Sequence, residues 1–266
     1  MSISKKYCRS LHAQISLGTT SDDRFMPNGY VKVFSQFQNL VVTEKLDGQN
    51  NCLNKHGVFA RSHAAPSQLP WDKPLKDRWE LLKNDLGNLE IFGENMYGIH
   101  SIAYSKLESY FYVFAVRENG IWLSWEEVKF YAAMLDFPTV PEIQMEKTLK
   151  DFYQGNKDEN EIFDTWLTEN LEMSWVDYTN TSGKLGGFNP ENEKPCSEGF
   201  VIRNANAFKT NNGILPVAPN EFDSLCKLVR PAHVKTDVHW IKNWKPASLV
   251  NYEKYKWFNF SYLTKK

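Results

Sequence analysis

The stretch Thr43–Asn50 reads Thr-Glu-Lys-Leu-Asp-Gly-Gln-Asn and closes an apolar, β-branched run, Leu40–Glu44, that predicts a strand. A lysine at the end of such a strand would have a packed stem and a desolvated amine, and nearby cations would lower its pKa further. We therefore predict that Lys45 is a nucleophile. Asp47-Gly48 predicts a tight turn that lets a ligand approach the backbone. A hairpin turn with an exposed lysine is the alternative.

The composition is typical of a globular protein. The chain has 266 residues, 42% hydrophobic and 24% charged, and a net charge of −1, which excludes disordered, collagen-like and coiled-coil classes. No apolar run approaches the length of a transmembrane helix, and the N-terminus lacks the apolar segment of a secretory signal. The four cysteines form no CxxC pair, so we predict reduced thiols rather than a zinc site or a disulfide framework.

The elements predicted around the Lys45 strand mix strands and helices. The helix Asp72–Leu86 has Asp72 as a candidate N-cap, and a capping box at Ser124 begins a second helix that ends before Pro138. The predicted strands are a hairpin of Cys52–Lys55 and Val58–Arg61, then Leu89–Glu94, Tyr110–Val116, Glu198–Arg203 and Leu225–Arg230. This order favours an α+β fold over a doubly wound parallel sheet.

Charge is distributed unevenly along the chain. Residues 142–172 hold nine acidic and three basic side chains, whereas residues 227–266 hold nine basic and two acidic ones interleaved with eight aromatic residues from Trp240 onward. Cations and rings on one surface are what single-stranded nucleic acid requires. A C-terminal helix with an aromatic inner face and solvated lysines explains the pattern equally well.

Further motifs follow Lys45 in order: Phe59–Ser62, Ile91–Glu94, Tyr110–Phe114, Glu198–Val201 and Leu225–Arg230. This ordered set resembles the covalent nucleotidyltransferase superfamily of ATP-dependent ligases and mRNA capping enzymes, and within it the RNA ligase branch, near the RNA ligase 2 type. The similarity runs from about Ser21 to Trp240 and includes His100–Tyr104. It implies an α+β adenylation domain over residues 1–240, with mainly antiparallel sheets flanked by helices. Residues 241–266 would be a basic aromatic extension that packs on this domain or contacts RNA.

The resemblance also implies roles for individual residues. Lys45 would attack the α-phosphate of ATP and hold AMP as a phosphoramidate, while Lys227 would contact that phosphate and favour a neutral Lys45 by like-charge repulsion. Glu94 would accept a hydrogen bond from a ribose hydroxyl, Phe111 would stack on adenine, and Glu198 would help to hold Mg²⁺ or Mn²⁺. The remaining nucleotide-binding positions are Glu44, Asp47, Asn50, Arg61 and Arg230. By pattern alone, Phe111 is a core residue and Arg61 forms a surface salt bridge.

Some positions depart from the family pattern or stay open. Val229 occupies the second lysine position of the last motif, so Arg230 would replace that lysine only through a bulge. The stretch Gly183–Gly187 fits no phosphate-binding fingerprint and is predicted to be a mobile loop. His100 and His233 are either phosphate contacts or structural histidines.

Together these observations predict an ATP-dependent RNA ligase that joins 5′-phosphate and 3′-hydroxyl ends of RNA through lysyl-AMP and adenylylated RNA. Its cofactors would be ATP and Mg²⁺ (or Mn²⁺), and it would be a cytoplasmic monomer without a membrane partner. Alternatives are a DNA or RNA nick ligase, a 5′-adenylylating enzyme of the same superfamily, and a catalytically inactive RNA-binding module.

Overall fold

A computed structural model describes residues 3–62, 64–155, 157–210, 223–231, 233 and 244–250. Within these ranges the chain forms thirteen strands and six α-helices. The strands are β1 (Leu11–His12), β2 (Leu40–Lys45), β3 (Gln49–Asn54), β4 (Gly57–Ala60), β5 (Leu89–Asn95), β6 (Ala103–Tyr104), β7 (Phe111–Glu118), β8 (Ile121–Trp122), β9 (Glu142–Ile143), β10 (Gly187–Phe188), β11 (Gly199–Asn204), β12 (Phe208–Lys209) and β13 (Leu225–Val229). The helices are α1 (Tyr30–Ser35), α2 (Lys73–Leu82), α3 (Trp125–Met134), α4 (Leu149–Phe152), α5 (Glu159–Leu171) and α6 (Trp175–Tyr178), and a 3₁₀ turn (Pro70–Asp72) precedes α2.

The first sheet contains the strand that ends at Lys45. Its order is β1-β13-β11-β2-β9, and every pair is antiparallel except β1 with β13. Lys45 lies opposite Gly199, and Val201 lies opposite Lys227. Because side chains alternate between the faces of a strand, Lys45, Val201 and Lys227 share one face of this sheet.

The second sheet is antiparallel throughout and has the order β12-β8-β7-β5-β3-β4. Asn50 lies opposite Glu94 in it, so the two side chains share a face. Phe92 lies opposite Ala115 and Gly93 opposite Val113, so Phe114 is the extra residue of a bulge in β7. The small strands β6 and β10 pair separately. Two largely antiparallel sheets with helices confirm the predicted α+β class.

The first sheet has a helical layer on one face and the second sheet on the other. Val42, Phe200 and Ile202 pack with residues of α1, α5 and α6 in one apolar cluster. On the opposite face, the buried guanidinium of Arg203 donates at 2.9 Å to the carbonyl oxygen of Leu123, the residue that directly follows β8 of the second sheet. Arg203 belongs to the same face as Lys45, which therefore points into the space between the two sheets.

The predicted strands are confirmed within one or two residues at their ends, except that β3 begins three residues earlier, at Gln49, whereas the predicted helix Asp72–Leu86 is shorter. It ends at Leu82, and Gly87 adopts a left-handed φ of 53° in the turn that leads to β5. Asp72 does not cap α2 with its side chain. It accepts hydrogen bonds from Gln49 and Asn95 instead, because the chain before the helix folds over β3 and β5.

The structure also bears on the predicted capping box, the cysteines and the possibility of a membrane-spanning helix. Ser124 and Glu127 form the expected capping box of α3. All four cysteines are free thiols, as predicted, and Cys52 and Cys226 are buried in the core. Within the described ranges, no helix is long and apolar enough to cross a membrane.

The predicted boundary at residue 240 and most of the basic aromatic extension lie outside the described residues. The part that is described, residues 244–250, runs along the segment after β5. Ile99 donates to the carbonyl of Lys245, Ala247 donates to the carbonyl of Tyr97, and the Trp244 ring contacts the Trp71 ring.

Candidate functional site

The ammonium of Lys45 is held by Glu198 between the two sheets. Lys45 ends β2, and its Nζ is 2.8 Å from each carboxylate oxygen of Glu198. Glu198 immediately precedes β11, whose first residue, Gly199, lies opposite Lys45. A Cβ on Gly199 would collide with the carbonyl oxygen of Leu228 on β13, so glycine is required where these strands approach. The register of three neighbouring strands therefore fixes the ion pair.

Two further carboxylates surround the same ammonium. Asp47 belongs to the turn after β2, and Glu94 comes from β5 of the second sheet. Burial raises the pKa of Glu94 to about 8, and the charges of Glu198 and Asp47 act in the same direction against the attraction of Lys45. Burial and the neighbouring carboxylates thus favour the protonated form of Glu94, whereas Lys45 favours its ionised form.

The charge state of Lys45 differs from the sequence prediction. Burial by itself lowers the pKa of Lys45, but the attraction of Glu198, Glu94 and Asp47 outweighs it, so the pKa lies above the ordinary lysine value. The prediction of a depressed lysine pKa is thus wrong for the free protein, because the neighbours that dominate are carboxylates rather than cations. Lys45 must lose a proton before it can act as a nucleophile.

Asp47 is fixed in position by the segment that follows β5. Its Oδ2 accepts from the backbone N–H of Ser101 (2.9 Å), from the Ser101 hydroxyl (2.7 Å) and from the N–H of Ile102 (2.9 Å). The Asp47 N–H donates to the Tyr104 hydroxyl at 2.8 Å. Because three donors engage Oδ2, the other oxygen, Oδ1, is turned toward His233, whose Nε2 is 3.7 Å away.

Asp47, Glu198 and His233 offer a group of donors suited to a divalent cation. One ligand atom from each lies within 4.8 Å of the others, and His233 Nε2 is 3.4 Å from Glu198 Oε1. The His233 side chain is 4% exposed, and its Nδ1 has no hydrogen-bond partner among the described residues. Carboxylate oxygens are ligands of Mg²⁺ and Mn²⁺, and an imidazole nitrogen is a common transition-metal ligand, so the donor set fits such an ion.

Comparison with known proteins places this site in a family. The model of the RNA ligase family matches residues 38–218, which include Lys45, Asp47, Glu94 and Glu198. The chain belongs to the RNA ligase family. A search of curated proteins found no match.

Solved structures of RNA ligases are also similar to the chain. An archaeal ATP-dependent RNA ligase shares 13% sequence identity over 85% of this chain and 48% of its own, with a TM-score of 0.45. A variant of the Naegleria gruberi RNA ligase, solved with ATP and Mn, shares 14% identity over 85% of this chain and 59% of its own, with a TM-score of 0.41. The chain thus spans about half to three-fifths of the length of these ligases.

In this RNA ligase family member, Glu44 faces away from Lys45 toward the helical layer. Its Oε1 accepts from the Tyr178 hydroxyl and from the backbone N–H of Lys184, both at 2.7 Å, and burial raises its pKa. Gly183 has a φ of 56°, and a Cβ there would meet the Glu44 carboxylate, so the turn needs glycine. The glycine-rich stretch is thus hydrogen-bonded to β2. A nucleotide-binding role of Glu44 stays a prediction.

Three other predicted nucleotide-binding residues lie in the second sheet or next to it. Asn50 shares a face with Glu94, and its buried Oδ1 has no partner among the described residues. Phe111 is 2% exposed, packs over Gly93 and contacts the Phe137 ring, which is the core environment that its pattern alone indicates. Arg61 is exposed just beyond β4, and within the described ranges no polar contact joins it to the Lys45 cluster. Adenine stacking and phosphate binding stay predictions.

The last motif lies on β13 at the other side of β11. Lys227 has the same orientation as Lys45, and its Nζ is 3.7 Å from Asp23 Oδ1. Val229, at the second lysine position of the RNA ligase pattern, is buried. Arg230 donates its backbone N–H to the carbonyl of Glu198 at 2.9 Å, so it borders the site, whereas its Nε has no partner among the described residues. Substitution of the missing lysine by Arg230 stays a prediction.

Sequence reasoning did not assign Asp23, Ser101 and Tyr104 to the site. The similarity of the segment His100–Tyr104 to RNA ligases was a usable signal for the last two, since this segment lies between the motifs Ile91–Glu94 and Tyr110–Phe114. Asp23 lies just inside the start of the similarity, near Ser21, but it belongs to none of the motifs.

Proposed function

We propose that this member of the RNA ligase family joins RNA ends in an ATP-dependent reaction in which Lys45 carries AMP. The observation that carries the proposal is the Lys45 ammonium, 2.8 Å from both oxygens of Glu198 and surrounded by Asp47 and Glu94. Three carboxylates from separate segments are not required to keep a lysine on the surface. Their convergence on Lys45 is expected for a lysine that must be positioned, deprotonated and aligned with a phosphorus.

In the first step, Lys45 Nζ forms a P–N bond with the α-phosphorus of ATP, and the bond to pyrophosphate breaks. The ammonium proton has a ready acceptor in Glu198, which already contacts Nζ. The pair stays neutral overall during this transfer, but the raised pKa of Lys45 opposes it, so the positive charge of a divalent ion would be needed to favour the neutral amine.

In the second step, an oxygen of the RNA 5′-phosphate attacks the same phosphorus, the P–N bond breaks and Lys45 recovers a proton. In the third, a 3′-hydroxyl oxygen attacks the 5′-phosphorus and AMP leaves, which gives the phosphodiester. Asp47, Glu198 and His233 would hold the divalent ion, Mg²⁺ or Mn²⁺, which supplies positive charge to the phosphate oxygens. The Ser101 and Ile102 bonds keep Asp47 turned toward this position throughout.

The direct test is a sealing assay with end-labelled RNA. The substrates are nicked duplex RNA, single-stranded RNA and the corresponding DNA, with ATP and either Mg²⁺ or Mn²⁺. We expect joined RNA and an adenylylated RNA intermediate with the wild type and with Lys55→Ala, an exposed lysine of the β3–β4 turn, and neither product with Lys45→Ala. Wild-type protein that yields no product with any substrate, or equal yield from Lys45→Ala, would contradict the proposal.

A further inference from the structure

The N-terminal segment covers the free edge of β13, the strand of the last motif. β1 pairs in parallel with β13, with His12 opposite Lys227. Ala13 N–H donates to the Lys227 carbonyl (2.9 Å), and Gly18 N–H donates to the Val229 carbonyl (2.8 Å). The family model begins only at residue 38, so this contact is a feature of the chain outside the matched region.

Next to this strand pair, four side chains form a chain of polar contacts: Ser16, His12, Asp23 and Lys227. Ser16 Oγ is 2.8 Å from His12 Nδ1, and His12 Nε2 is 3.1 Å from Asp23 Oδ1, the same oxygen that faces Lys227 Nζ at 3.7 Å. His12 is fully buried, and the Asp23 side chain is 10% exposed. Because Nε2 faces a carboxylate, the imidazole proton is best placed on Nε2, with the Ser16 hydroxyl donating to Nδ1.

The second oxygen of Asp23 is also engaged. Oδ2 accepts from the Thr20 N–H at 2.8 Å and from the Thr20 hydroxyl at 3.0 Å. The carboxylate is therefore held by its own loop and by the histidine, and its charge is presented to Lys227 from a fixed position.

Ser, His and Asp in contact also occur in hydrolytic triads, but the surroundings of Ser16 exclude that role. Ser16 is 5% exposed, and its Oγ accepts the backbone N–H of Val229 at 3.0 Å. The hydroxyl thus points into the protein, with no access for a substrate, and serves to lock β13 and His12 together.

We propose that Asp23 is a positioning residue that holds the Lys227 ammonium at the edge of the cleft, where the proposed ligase function requires a cation for the α-phosphate. The Lys45 cluster contains three carboxylates for one ammonium, so it attracts further cations. One strand, β11, separates Lys227 from β2, a gap of two strand spacings or about 10 Å, which a long flexible side chain can partly cross. The Asp23 carboxylate attracts the Lys227 ammonium in place of that cluster. The carboxylates of the Lys45 cluster therefore remain available to the metal ion and to Lys45.

The test is a double-mutant cycle on the rate of Lys45 adenylylation. The variants are Asp23→Asn, Lys227→Ala and their combination, with Asp22→Asn, the exposed neighbour, as matched control. We expect Asp23→Asn to slow the step roughly ten- to a hundredfold, Lys227→Ala to slow it more, and the double variant to equal Lys227→Ala, because Asp23 acts only through Lys227. Asp22→Asn should match the wild type, and Asp23→Glu should recover much of the loss.

Effects that multiply in the double variant, or a wild-type rate in Asp23→Asn, would overturn the inference. A second readout needs no activity: reductive ¹³C-methylation of the lysines and NMR, with the Lys227 signal assigned by its absence in Lys227→Arg. This signal should move in Asp23→Asn and stay in place in Asp22→Asn. If the wild type fails to adenylylate Lys45, the proposed function is wrong, yet the NMR arm still decides whether Asp23 holds Lys227; an unmoved signal would refute the pairing.

Discussion

This protein has two buried clusters that contain carboxylates, one around Asp72 and one around Lys45. They differ in the charge of the groups that contact the carboxylates. Asp72 is 0% exposed and is surrounded by neutral donors from Gln49, Ser67 and Asn95. Glu198 instead shares one ammonium, that of Lys45, with two other carboxylates. Both clusters adjoin the stretch after β2, but only one of them combines unbalanced charge with unpartnered polar atoms.

The difference separates a structural cluster from a chemical one. Hydrogen bonds of neutral side chains satisfy Asp72 and tie the 3₁₀ turn before α2 to β3 and β5. The Lys45 cluster keeps an unpartnered Asn50 Oδ1 and His233 Nδ1 among the described residues. Groups left in this state are suited to a ligand that brings its own charge and hydrogen bonds.

Among the substitutions that test this difference, we expect Glu198→Gln to have the largest effect on the rate of adenylylation. The substitution keeps the shape but removes the charge partner and proton acceptor of Lys45, and we expect adenylylation to slow roughly 10²- to 10³-fold. The rate is measured with labelled ATP under single-turnover conditions. Glu191→Gln, an exposed acid of the preceding loop, is the control. A rate within a few-fold of the wild type would remove Glu198 from the chemistry.

Replacing Asp72 by Asn tests the other cluster. The new amide group would face the donors of Gln49 and Asn95, and one unsatisfied buried group costs about 1–3 kcal/mol of unfolding free energy. Each kcal/mol lowers the melting temperature by about 2–4 °C in a chain of this size. We expect this loss of stability with adenylylation by the folded protein changed less than about threefold, and no change in the exposed control Asp85→Asn. A stable but inactive Asp72→Asn would erase the distinction between the clusters.

The pH dependence of stability should carry the signature of Glu94. Its pKa is about 8 in the folded protein against 4.5 for the free side chain, so the folded state binds the proton more tightly. This group's contribution to stability is therefore full below pH 4.5 and is lost as the pH rises through about 8. We expect Glu94→Gln to flatten the fall in unfolding free energy across that window, measured by urea denaturation on both sides of it. An unchanged slope would show that Glu94 is ionised at neutral pH.

The smallest effect is expected from Ser101→Ala. It removes one of three hydrogen bonds to Asp47 Oδ2 while the backbone donors of Ser101 and Ile102 remain. We expect adenylylation to slow only about three- to tenfold and the unfolding free energy to fall by about 1 kcal/mol. Exposed Ser248→Ala, outside every motif, is the control. A loss as large as that of Glu198→Gln would mean that Asp47 depends on the hydroxyl alone.

The local features of the fold were predictable because neighbouring residues encode them. The β-branched run before Lys45, the turn at Gly57 and the capping box at Ser124 all formed where the sequence indicates. Residue types with a single dominant preference specify these elements without help from distant parts of the chain. Asp72 occupies the predicted N-cap position, but its side chain does not cap the helix because side chains of β3 and β5 bind the carboxylate in a buried network.

Individual site residues could be predicted from the sequence, but the net effect of their neighbours on the pKa of Lys45 could not. Lys45 and Glu198 could be singled out, and the structure brings them together. The direction of the Lys45 pKa shift could not, because it depends on the net effect of burial and of carboxylates from separate segments. The anchoring of Lys227 by Asp23 depends on a two-residue strand, β1, too short to leave a periodic pattern.

The most direct measurement is to locate AMP on the protein. Wild-type protein is incubated with ATP and Mn²⁺ or Mg²⁺, quenched and digested, and the modified peptide is identified by mass spectrometry. We predict a single AMP adduct on Lys45 with the acid lability of a P–N bond, and none in Lys45→Ala. An adduct on another residue, or an unmodified Lys45 under every metal condition, would contradict the account.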